Sequence, residues 1–370
     1  MFSDEHLYAI ALRRCRFIGD VTFNKLVVAH GGAENVWKLP KRELDSLFGI
    51  GHRVVREIGS KAHLEFAENE LEFCFRNGIL VRLRHAEDYP SLLGECVDAP
   101  AVLYQKGTYH SDKIAVSIVG TRSMTAYGEQ FVDDFLSELG KAKVQTVSGL
   151  ALGVDTRVHS RSVEVGVSTV AVLAHGFHTI YPAKNRLLSE EILSNGGALF
   201  TEFNSSHRPD REHFIQRNRV IAGLSKATIV CETAFGGGSV STANFANQYD
   251  RDVYALPGRI TDKYSQGCNL LIASHKAAAI STVGDLVKDL GLSFYGEGRT
   301  AELFPLEEQL PAMTPEQTEV YAVIKSRPMI GLDEIAERTS RPTHALLSIL
   351  LEMEISGYIR SFSGRQYRAL

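Results

Sequence analysis

The amino-acid sequence predicts an α/β protein whose central sheet is mostly parallel and is covered by helices on both faces. From about residue 81 to residue 292, short apolar runs alternate with segments that have helical spacing. The runs are apolar along their whole length, which is typical of strands buried on both faces. Glycine turns follow several of the runs. Because such sheets bind ligands at the carboxyl ends of their strands, we expect the functional site at that edge.

Seven apolar runs are predicted to be strands of this sheet. They are residues 114–119, 144–148, 168–173, 199–203, 228–231, 252–256 and 277–280. Between them, the segments GEQFVDDFLSELGKA, NRLLSEEILSNGG and TANFANQYDR have the apolar spacing of amphipathic helices.

The composition limits the class of protein. A chain of 370 residues suggests two or three domains. The formal net charge of −4 excludes a protein that coats nucleic acid by bulk charge, but it allows a local basic groove. The five cysteines include no C-x-x-C pair, so neither a disulfide framework nor a zinc ribbon is indicated. No apolar stretch approaches the roughly 20 residues that span a bilayer, and we expect a cytoplasmic protein without membrane contact.

Residues 1–80 are predicted to form a small helical domain with two similar glycine turns, in CRFIGDVTFNKLVVAHGG and SLFGIGHRVVREIGS. The second turn resembles a helix-hairpin-helix. In that interpretation, Gly49, Gly51 and Arg53 face a duplex phosphate at a helix N-terminus. The alternative is that both turns serve packing alone.

Residues 293–313 are rich in Gly, Pro and Glu and are predicted to be a linker. The last part, residues 314–370, has the pattern of three helices and a hairpin, which is winged-helix-like. Its third helix, within ALLSILLEMEIS, is apolar and acidic, whereas a helix that reads bases usually carries Arg, Asn or Gln. This favours a protein-contact module over a DNA-reading one.

Four loops at the strand ends carry groups that bind phosphate. Backbone amides, hydroxyls and arginine side chains are the usual phosphate donors, and an aromatic ring next to them can stack on a base. The predicted contacts are Gly120, Thr121 and Arg122 in the first loop, Ser148 and Gly149 in the second, Lys184, Asn185 and Arg186 in the third, with Tyr181 as a stacking ring, and Arg217, Asn218, Arg219, Gly238, Ser239 and Thr242 in the fourth.

Two pairs of residues that include histidine could be interpreted as a catalytic site or a metal site. Asp155 and His159 lie four residues apart, but no nucleophile is marked beside them, so a loop-holding aspartate and a satisfied histidine are expected. His175 and His178 have no carboxylate close in sequence and make a poor metal pair. The sequence therefore predicts no catalytic residue, no metal and no cofactor.

The quoted segments also resemble a known family. LYQKG, IVGTRSMTAYG, VSGLALGVDTRVH, YPAKNRLL, RNRVIAGLS, GGSVSTANFA and VYALPG match, in order, motifs of DNA-processing protein A, the Smf family of bacterial natural transformation. The resemblance covers about residues 100 to 280. It implies a doubly wound, Rossmann-like domain at 81–292, flanked by the helical and winged-helix-like parts.

The function implied by this resemblance is that of a recombination mediator without turnover. Family members bind and protect single-stranded DNA, help to load the RecA recombinase and form homodimers through the Rossmann-like domain. By matched motif, Arg122 falls at the strand-contacting arginine, while Lys184 with Arg186 and residues 217–219 lie in motifs that line the same pocket. The chain departs from the family at Ile215, usually proline, and at Gly237, usually serine.

Two enzyme classes are alternatives. A nicotinamide-dependent enzyme needs a G-x-G-x-x-G turn and an acid about 20 residues further on; the turn is missing, and Glu138 near that distance falls in a predicted helix. A nucleotide phosphoribohydrolase of the lysine-decarboxylase-like group resembles P-G-G-x-G-T-x-x-E, whose glutamate does acid-base work. Here the turn continues Thr242, Ala243, Asn244 and Phe245 without that carboxylate.

Overall fold

The computed structural model describes residues 2–46, 57–140, 143–292, 313–327, 329–356, 358–362 and 365–369. They form two compact units, the first within residues 2–292 and the second within residues 313–369. The turn with Gly49, Gly51 and Arg53 lies outside the described residues, so its phosphate contact stays a prediction. None of the described helices is both long enough and apolar enough to cross a membrane.

The first unit begins with helices that pack on one end of the central sheet. They are α1 (Asp4–Arg14), α2 (Asp20–His30), α3 (Ala33–Lys38), α4 (Lys41–Ser46) and α5 (Lys61–Arg76). Gly31 ends α2 in the left-handed conformation at φ 75°, which glycine adopts without strain. The apolar core of these helices continues into strand residues such as Val81 and Tyr104, so the described N-terminal helices share a core with the sheet.

A nine-stranded sheet forms the centre of this unit. Its strands are β1 (Leu80–Leu83), β2 (Val102–Gly107), β3 (Ile114–Val119), β4 (Val144–Ser148), β5 (Ser168–Val172), β6 (Ala198–Thr201), β7 (Ala227–Val230), β8 (Asp252–Ala255) and β9 (Ala278–Ala279). The spatial order is β1-β2-β6-β5-β4-β3-β7-β8-β9. In this spatial order, all neighbouring strands from β6 through β3 to β9 pair in parallel. The pairs β1–β2 and β2–β6, at one edge of the sheet, are antiparallel.

The predicted Rossmann-like α/β fold is confirmed. All seven predicted strands are present, with ends that differ by two residues or fewer. The chain runs outward from β3 to β6 and then crosses back to β7, on the other side of β3. This reversal is the topological switch point, and the gap beside the carboxyl ends of β3 and β7 is where ligands bind such sheets.

Helices cover both faces of the sheet. They are α6 (Ser91–Gly94), α7 (Ala126–Leu139), α8 (Val154–Glu164), α9 (Arg186–Ser194), α10 (Arg211–Gly223), α11 (Gly238–Gln248), α12 (Gln266–Ala273) and α13 (Val283–Asp289), with a short 3-10 helix at Ala183–Asn185. In β3, Ala115 and Val119 pack under α10, α11 and α12, whereas Val116 and Ile118 pack under α7, α8 and α13. This alternation follows from the two-residue period of a strand.

The second unit is the predicted winged helix. It contains α14 (Pro315–Lys325), β10 (Ile330–Gly331), α15 (Leu332–Thr339), α16 (Thr343–Ile355), β11 (Ile359–Phe362) and β12 (Gln366–Ala369). Thr314 and Gln317 form a capping box that starts α14. The third helix exposes Leu347 and Leu351, which agrees with its apolar sequence.

Candidate nucleic-acid interface

A cavity of about 780 Å³ lies at the switch point of the sheet. Its lining comes from the loops after β3, β4 and β7, from the turn before α9, and from the N-terminal part of α10. The lining residues are Val119 to Arg122, Ala151, Asp155, Tyr181, Pro209 to Arg211, Phe214, Ile215, Arg217, Asn218, Ile221, Thr233, Ala234, Gly236 to Ser239 and Thr242. Members of all four predicted loops therefore meet at one site.

The loop after β3 is held from behind and presents Arg122 outward. The Thr121 amide donates to the Glu232 carbonyl at 2.7 Å. Gly120 leaves no room for a side chain, because a Cβ there would lie 2.5 Å from Val154 Cγ2. Arg122 is exposed, with its guanidinium carbon 5.2 Å from the ring centre of Phe214. No carboxylate of the described residues pairs with Arg122, so its charge is available to an anion.

Arg217 lies 5.8 Å from the centre of the same ring and is almost completely buried. Its guanidinium donates to the Gly149 carbonyl at 2.6 Å and to the Val172 carbonyl, which ties together the ends of β4 and β5. A side chain at Gly149 would meet Arg217 Nη2 at 2.5 Å, so the predicted contact of Gly149 is with the arginine. Burial lowers the pKa of Arg217 to about 10, which leaves it charged at neutral pH.

Asp155 supplies the negative charge that faces Arg217. The carboxylate accepts hydrogen bonds from the Gly149 and Ala151 amides at 3.2 and 3.3 Å. Burial raises its pKa, while Arg217 opposes that rise. Asp155 thus holds the loop, as expected from the sequence. One ring nitrogen of His159 pairs with Thr169 at 2.8 Å and the other has no partner among the described residues. Burial lowers the pKa of His159 to about 3, so the ring is neutral.

Phe214 is the central ring of the cavity, and sequence reasoning missed it. The rings of Tyr181 and Phe214 form a T-shaped pair with 5.8 Å between ring centres, and Arg122 and Arg217 lie 5.2 and 5.8 Å from the centre of Phe214. Tyr181 is itself 47% exposed and lies at the cavity, as expected of a stacking ring. The spacing of Phe214, one helical turn before Arg217 and Asn218, could have indicated it. Arg211, another lining residue in the same helix, was also missed.

The N-terminus of α11 closes the other side of the cavity. Gly236 has φ 69°, and the turn of Gly236 to Gly238 leads into the helix. Ser239 is 7% exposed, and its hydroxyl has no hydrogen-bond partner among the described atoms. Asn218 donates to Ser241 Oγ at 2.8 Å and so fixes α10 against this turn. A helix N-terminus with an unsatisfied hydroxyl is suited to a phosphate oxygen.

Several predicted contacts lie elsewhere. Ser148 is fully buried and its hydroxyl donates to the Ile118 carbonyl at 2.7 Å, while Asn185 is buried and donates to the Leu150 carbonyl and to Thr156 Oγ1 at 2.9 and 2.8 Å. Both are occupied in joining backbone segments. Lys184 and Arg186 are exposed but do not line the cavity. Arg186 pairs with Glu190 at 3.4 Å.

Arg219 points away from the cavity, in contrast to the sequence prediction. It is 6% exposed and forms ion pairs with Glu202 and with Asp20, the latter at 3.1 Å. It also donates to the Asp98 carbonyl. Arg219 therefore joins α10 to α2 and to the end of β6 instead of facing a ligand.

The histidine pair in the third loop is engaged in local structure. His175 is buried, and its two ring nitrogens pair with the Gly176 carbonyl at 2.9 Å and the Tyr181 amide at 3.1 Å. Burial lowers its pKa. His175 thus orients the backbone that carries Tyr181 and has no free nitrogen for a metal.

The fold and the cavity together define a protein of the nucleotide- and nucleic-acid-binding α/β class. Comparison with known proteins narrows this class. The family model described as DNA recombination-mediator protein A matches residues 81–291, and the model of the DprA winged helix domain matches residues 304–365. The chain belongs to the DNA recombination-mediator protein A family, which confirms the resemblance found in the motifs.

Relatives extend this match over the whole chain. Protein Smf of Synechocystis is 30% identical over 400 aligned residues that cover 100% of both chains. DNA processing protein DprA of Bacillus subtilis is 37% identical over 55% of this chain and 69% of its own length.

Two solved structures have the same architecture. DprA of Streptococcus pneumoniae matches 78% of this chain and 98% of its own, with a TM-score of 0.65 and 28% identity. DprA of Helicobacter pylori, solved to describe its binding mode for single-stranded DNA, matches 58% of this chain and 100% of its own, with a TM-score of 0.51 and 26% identity.

Proposed function

We propose that this protein binds single-stranded DNA in the cavity at the switch point of the sheet. The observation that carries the proposal is Arg122, which lies over Phe214 and lines the same cavity as the N-terminus of α11. Its guanidinium has no carboxylate partner among the described residues. A single strand offers both a phosphate and an unstacked base, and the cavity offers a counterpart for each. The family relationship supports the same ligand.

The arrangement suggests how one nucleotide is held. Arg122 and the start of α11, with Gly238, Ser239 and Thr242, receive the phosphate. The base stacks on Phe214 and Tyr181, which accept any base because every base has an aromatic face. We therefore expect little sequence preference and a strong salt dependence, because phosphates supply most of the attraction.

We further propose that the protein acts as a mediator and not as an enzyme. Asp155, the buried carboxyl at the cavity, is occupied by two amides and faces Arg217. The glycine turn lacks the glutamate that the phosphoribohydrolases use. Family membership supports a cytoplasmic protein that helps to load the RecA recombinase and forms a homodimer through the Rossmann-like domain. In this proposal, the winged helix at 314–370 contacts a protein, and residues 293–313 link it to the rest.

Replacing Arg122 with alanine should weaken binding of a short oligonucleotide at least about tenfold, because a charge-assisted hydrogen bond is lost. The dependence of log affinity on log salt should also become shallower by about 0.7. Fluorescence anisotropy at several salt concentrations measures both. Arg186→Ala is the matched control, since it removes the same charge from an exposed site outside the cavity. Equal losses in both variants would show that net charge, and not the cavity, attracts the strand.

Replacing Phe214 with alanine should cost about 1 to 3 kcal/mol of binding free energy for a normal oligonucleotide. An abasic oligonucleotide should bind the variant and the unmodified protein alike, because it has no base to stack. Tyr181→Ala is expected to have the smaller effect, since Arg122 and Arg217 both lie against Phe214 and not against Tyr181. A loss with Phe214→Ala that is equally large for the abasic strand would contradict stacking.

The class of ligand can be tested directly. We expect a single strand to compete better than matched duplex, inorganic polyphosphate or nucleoside monophosphates for the labelled oligonucleotide. Reaction products should be monitored in the same samples. Release of a free base from a monophosphate would overturn the mediator proposal in favour of the phosphoribohydrolase alternative, and equal competition by polyphosphate would indicate a simple anion site.

A further inference from the structure

A cluster of three metal-ligating side chains lies among the N-terminal helices, apart from the cavity. Cys15 follows the last residue of α1, His63 lies in the first turn of α5, and Glu57 precedes that helix. One donor atom from each of these residues lies within 4.8 Å of the other two. Cysteine, histidine and glutamate are distant in sequence here, so the fold and not a short motif brings them together.

The hydrogen bonds within the cluster do not occupy every atom that could bind a metal ion. Cys15 is 2% exposed, and its thiol donates a hydrogen bond to the Ala11 carbonyl at 3.5 Å. Glu57 accepts from the Arg16 amide and lies 3.6 Å from His63 Nε2. His63 Nδ1 is buried and has no hydrogen-bond partner among the described atoms. A buried polar atom without a partner is costly, so a ligand bound by the His63 ring would be stabilising.

We propose that Cys15, Glu57 and His63 bind a Zn²⁺ ion. A mixed set of sulfur, nitrogen and oxygen donors suits zinc, whereas magnesium and calcium prefer oxygen alone. In a tetrahedral zinc site, ligand atoms lie about 3.6 Å apart, given metal–ligand distances of about 2.0 to 2.3 Å. The observed donor atoms lie within 4.8 Å of one another, so they must approach by up to about 1 Å to reach this spacing. A water molecule would supply the fourth ligand.

Zinc binding must displace the thiol proton. Burial raises the pKa of Cys15 to about 12 in the metal-free protein. As the sulfur–zinc bond forms, that proton leaves to solvent, while Glu57 binds as a carboxylate and His63 as a neutral imidazole. Zinc affinity should therefore rise with pH. The ion would link the end of α1 to the start of α5. Such a cross-link closes the intervening chain into a loop, which lowers the entropy of the unfolded state and so stabilises the folded state.

Cobalt titration of the tag-free full chain, stripped with a chelator, tests this site. We expect one Co²⁺ per chain, visible absorption of a tetrahedral ion, a thiolate-to-cobalt charge-transfer band in the near ultraviolet, and displacement of both signals by Zn²⁺. Cys15→Ala should abolish the charge-transfer band. Cys74→Ala is the matched control, because Cys74 is also buried but lies outside the cluster; it should keep the band.

His63→Gln provides a second readout that does not depend on removing a buried thiol. Zinc should raise the melting temperature of the unmodified chain, and this shift should disappear in His63→Gln. Absence of a charge-transfer band in the unmodified protein would overturn the proposal. So would a band that persists in Cys15→Ala, or a zinc-dependent shift that persists in His63→Gln. If Cys15→Ala does not fold, the His63→Gln result decides.

Discussion

Replacing Arg219 with methionine should lower the free energy of unfolding by about 3 to 5 kcal/mol, because it leaves a buried carboxylate without its partner. Arg219 is paired with Glu202, whose side chain is only 3% exposed, and with Asp20. Methionine keeps most of the side-chain volume, so the loss reports charge and hydrogen bonding. Urea unfolding of the full chain, followed by circular dichroism, measures it.

The pH dependence of this loss has a definite sign. Burial raises the pKa of Glu202 even with Arg219 present, and removing the guanidinium should raise it further. The folded variant then holds a proton that the unfolded chain, with a glutamate pKa of about 4.3, has released. Its stability therefore falls as pH rises from that value through the folded pKa. The deficit relative to the unmodified protein should be smaller at pH 5 than at pH 7.5.

Arg186→Met is the control for this measurement, because its guanidinium is exposed and its pair with Glu190 lies on the surface of α9. It should change the free energy of unfolding by less than about 1 kcal/mol. A similarly small change for Arg219→Met, or a deficit that grows toward acidic pH, would show that the buried pair does not hold α10 in place.

The parallel strands could be predicted from the sequence, whereas the two antiparallel strands could not. The sequences of strands β3 to β8 are apolar runs because helices cover both faces of these strands. Strand β1 carries Arg82 in the middle of only four residues, and β2 includes Gln105 and Lys106. Arg82 donates to Gln105 across the pair at 3.1 Å. Strands with such polar residues do not show the apolar run that distinguishes a buried strand from a loop in the sequence.

The candidate site was predicted at the level of loops but not of every side chain. Arg217, Asn218 and Arg219 are adjacent in sequence, yet successive helical residues point about 100° apart. Arg217 therefore lies beside Phe214, Asn218 contacts α11, and Arg219 is paired with Asp20. Charge and position at a strand end indicate a phosphate site, but they do not distinguish an arginine that faces solvent from one that is paired inside.

Arg217 should contribute both to the stability of the fold and to oligonucleotide binding, and a double-mutant cycle can separate the two contributions. Arg217→Met removes the donor to the Gly149 and Val172 carbonyls and leaves Asp155 without its opposing charge. We expect a loss of about 3 to 5 kcal/mol in the free energy of unfolding. Oligonucleotide binding should also weaken, because the Arg217 guanidinium lines the cavity 5.8 Å from the centre of Phe214.

Adding Asp155→Asn to Arg217→Met should recover part of the stability, since the amide oxygen of asparagine can still accept from the Gly149 amide without a buried charge. The coupling between the two positions should be about 0.5 to 3 kcal/mol. Oligonucleotide binding should not recover, because neither change restores the guanidinium. Urea unfolding and anisotropy on the two single variants and the double variant measure both quantities. Additive losses of stability would contradict the charge interaction between Asp155 and Arg217, and recovered binding would assign Arg217 to the scaffold alone.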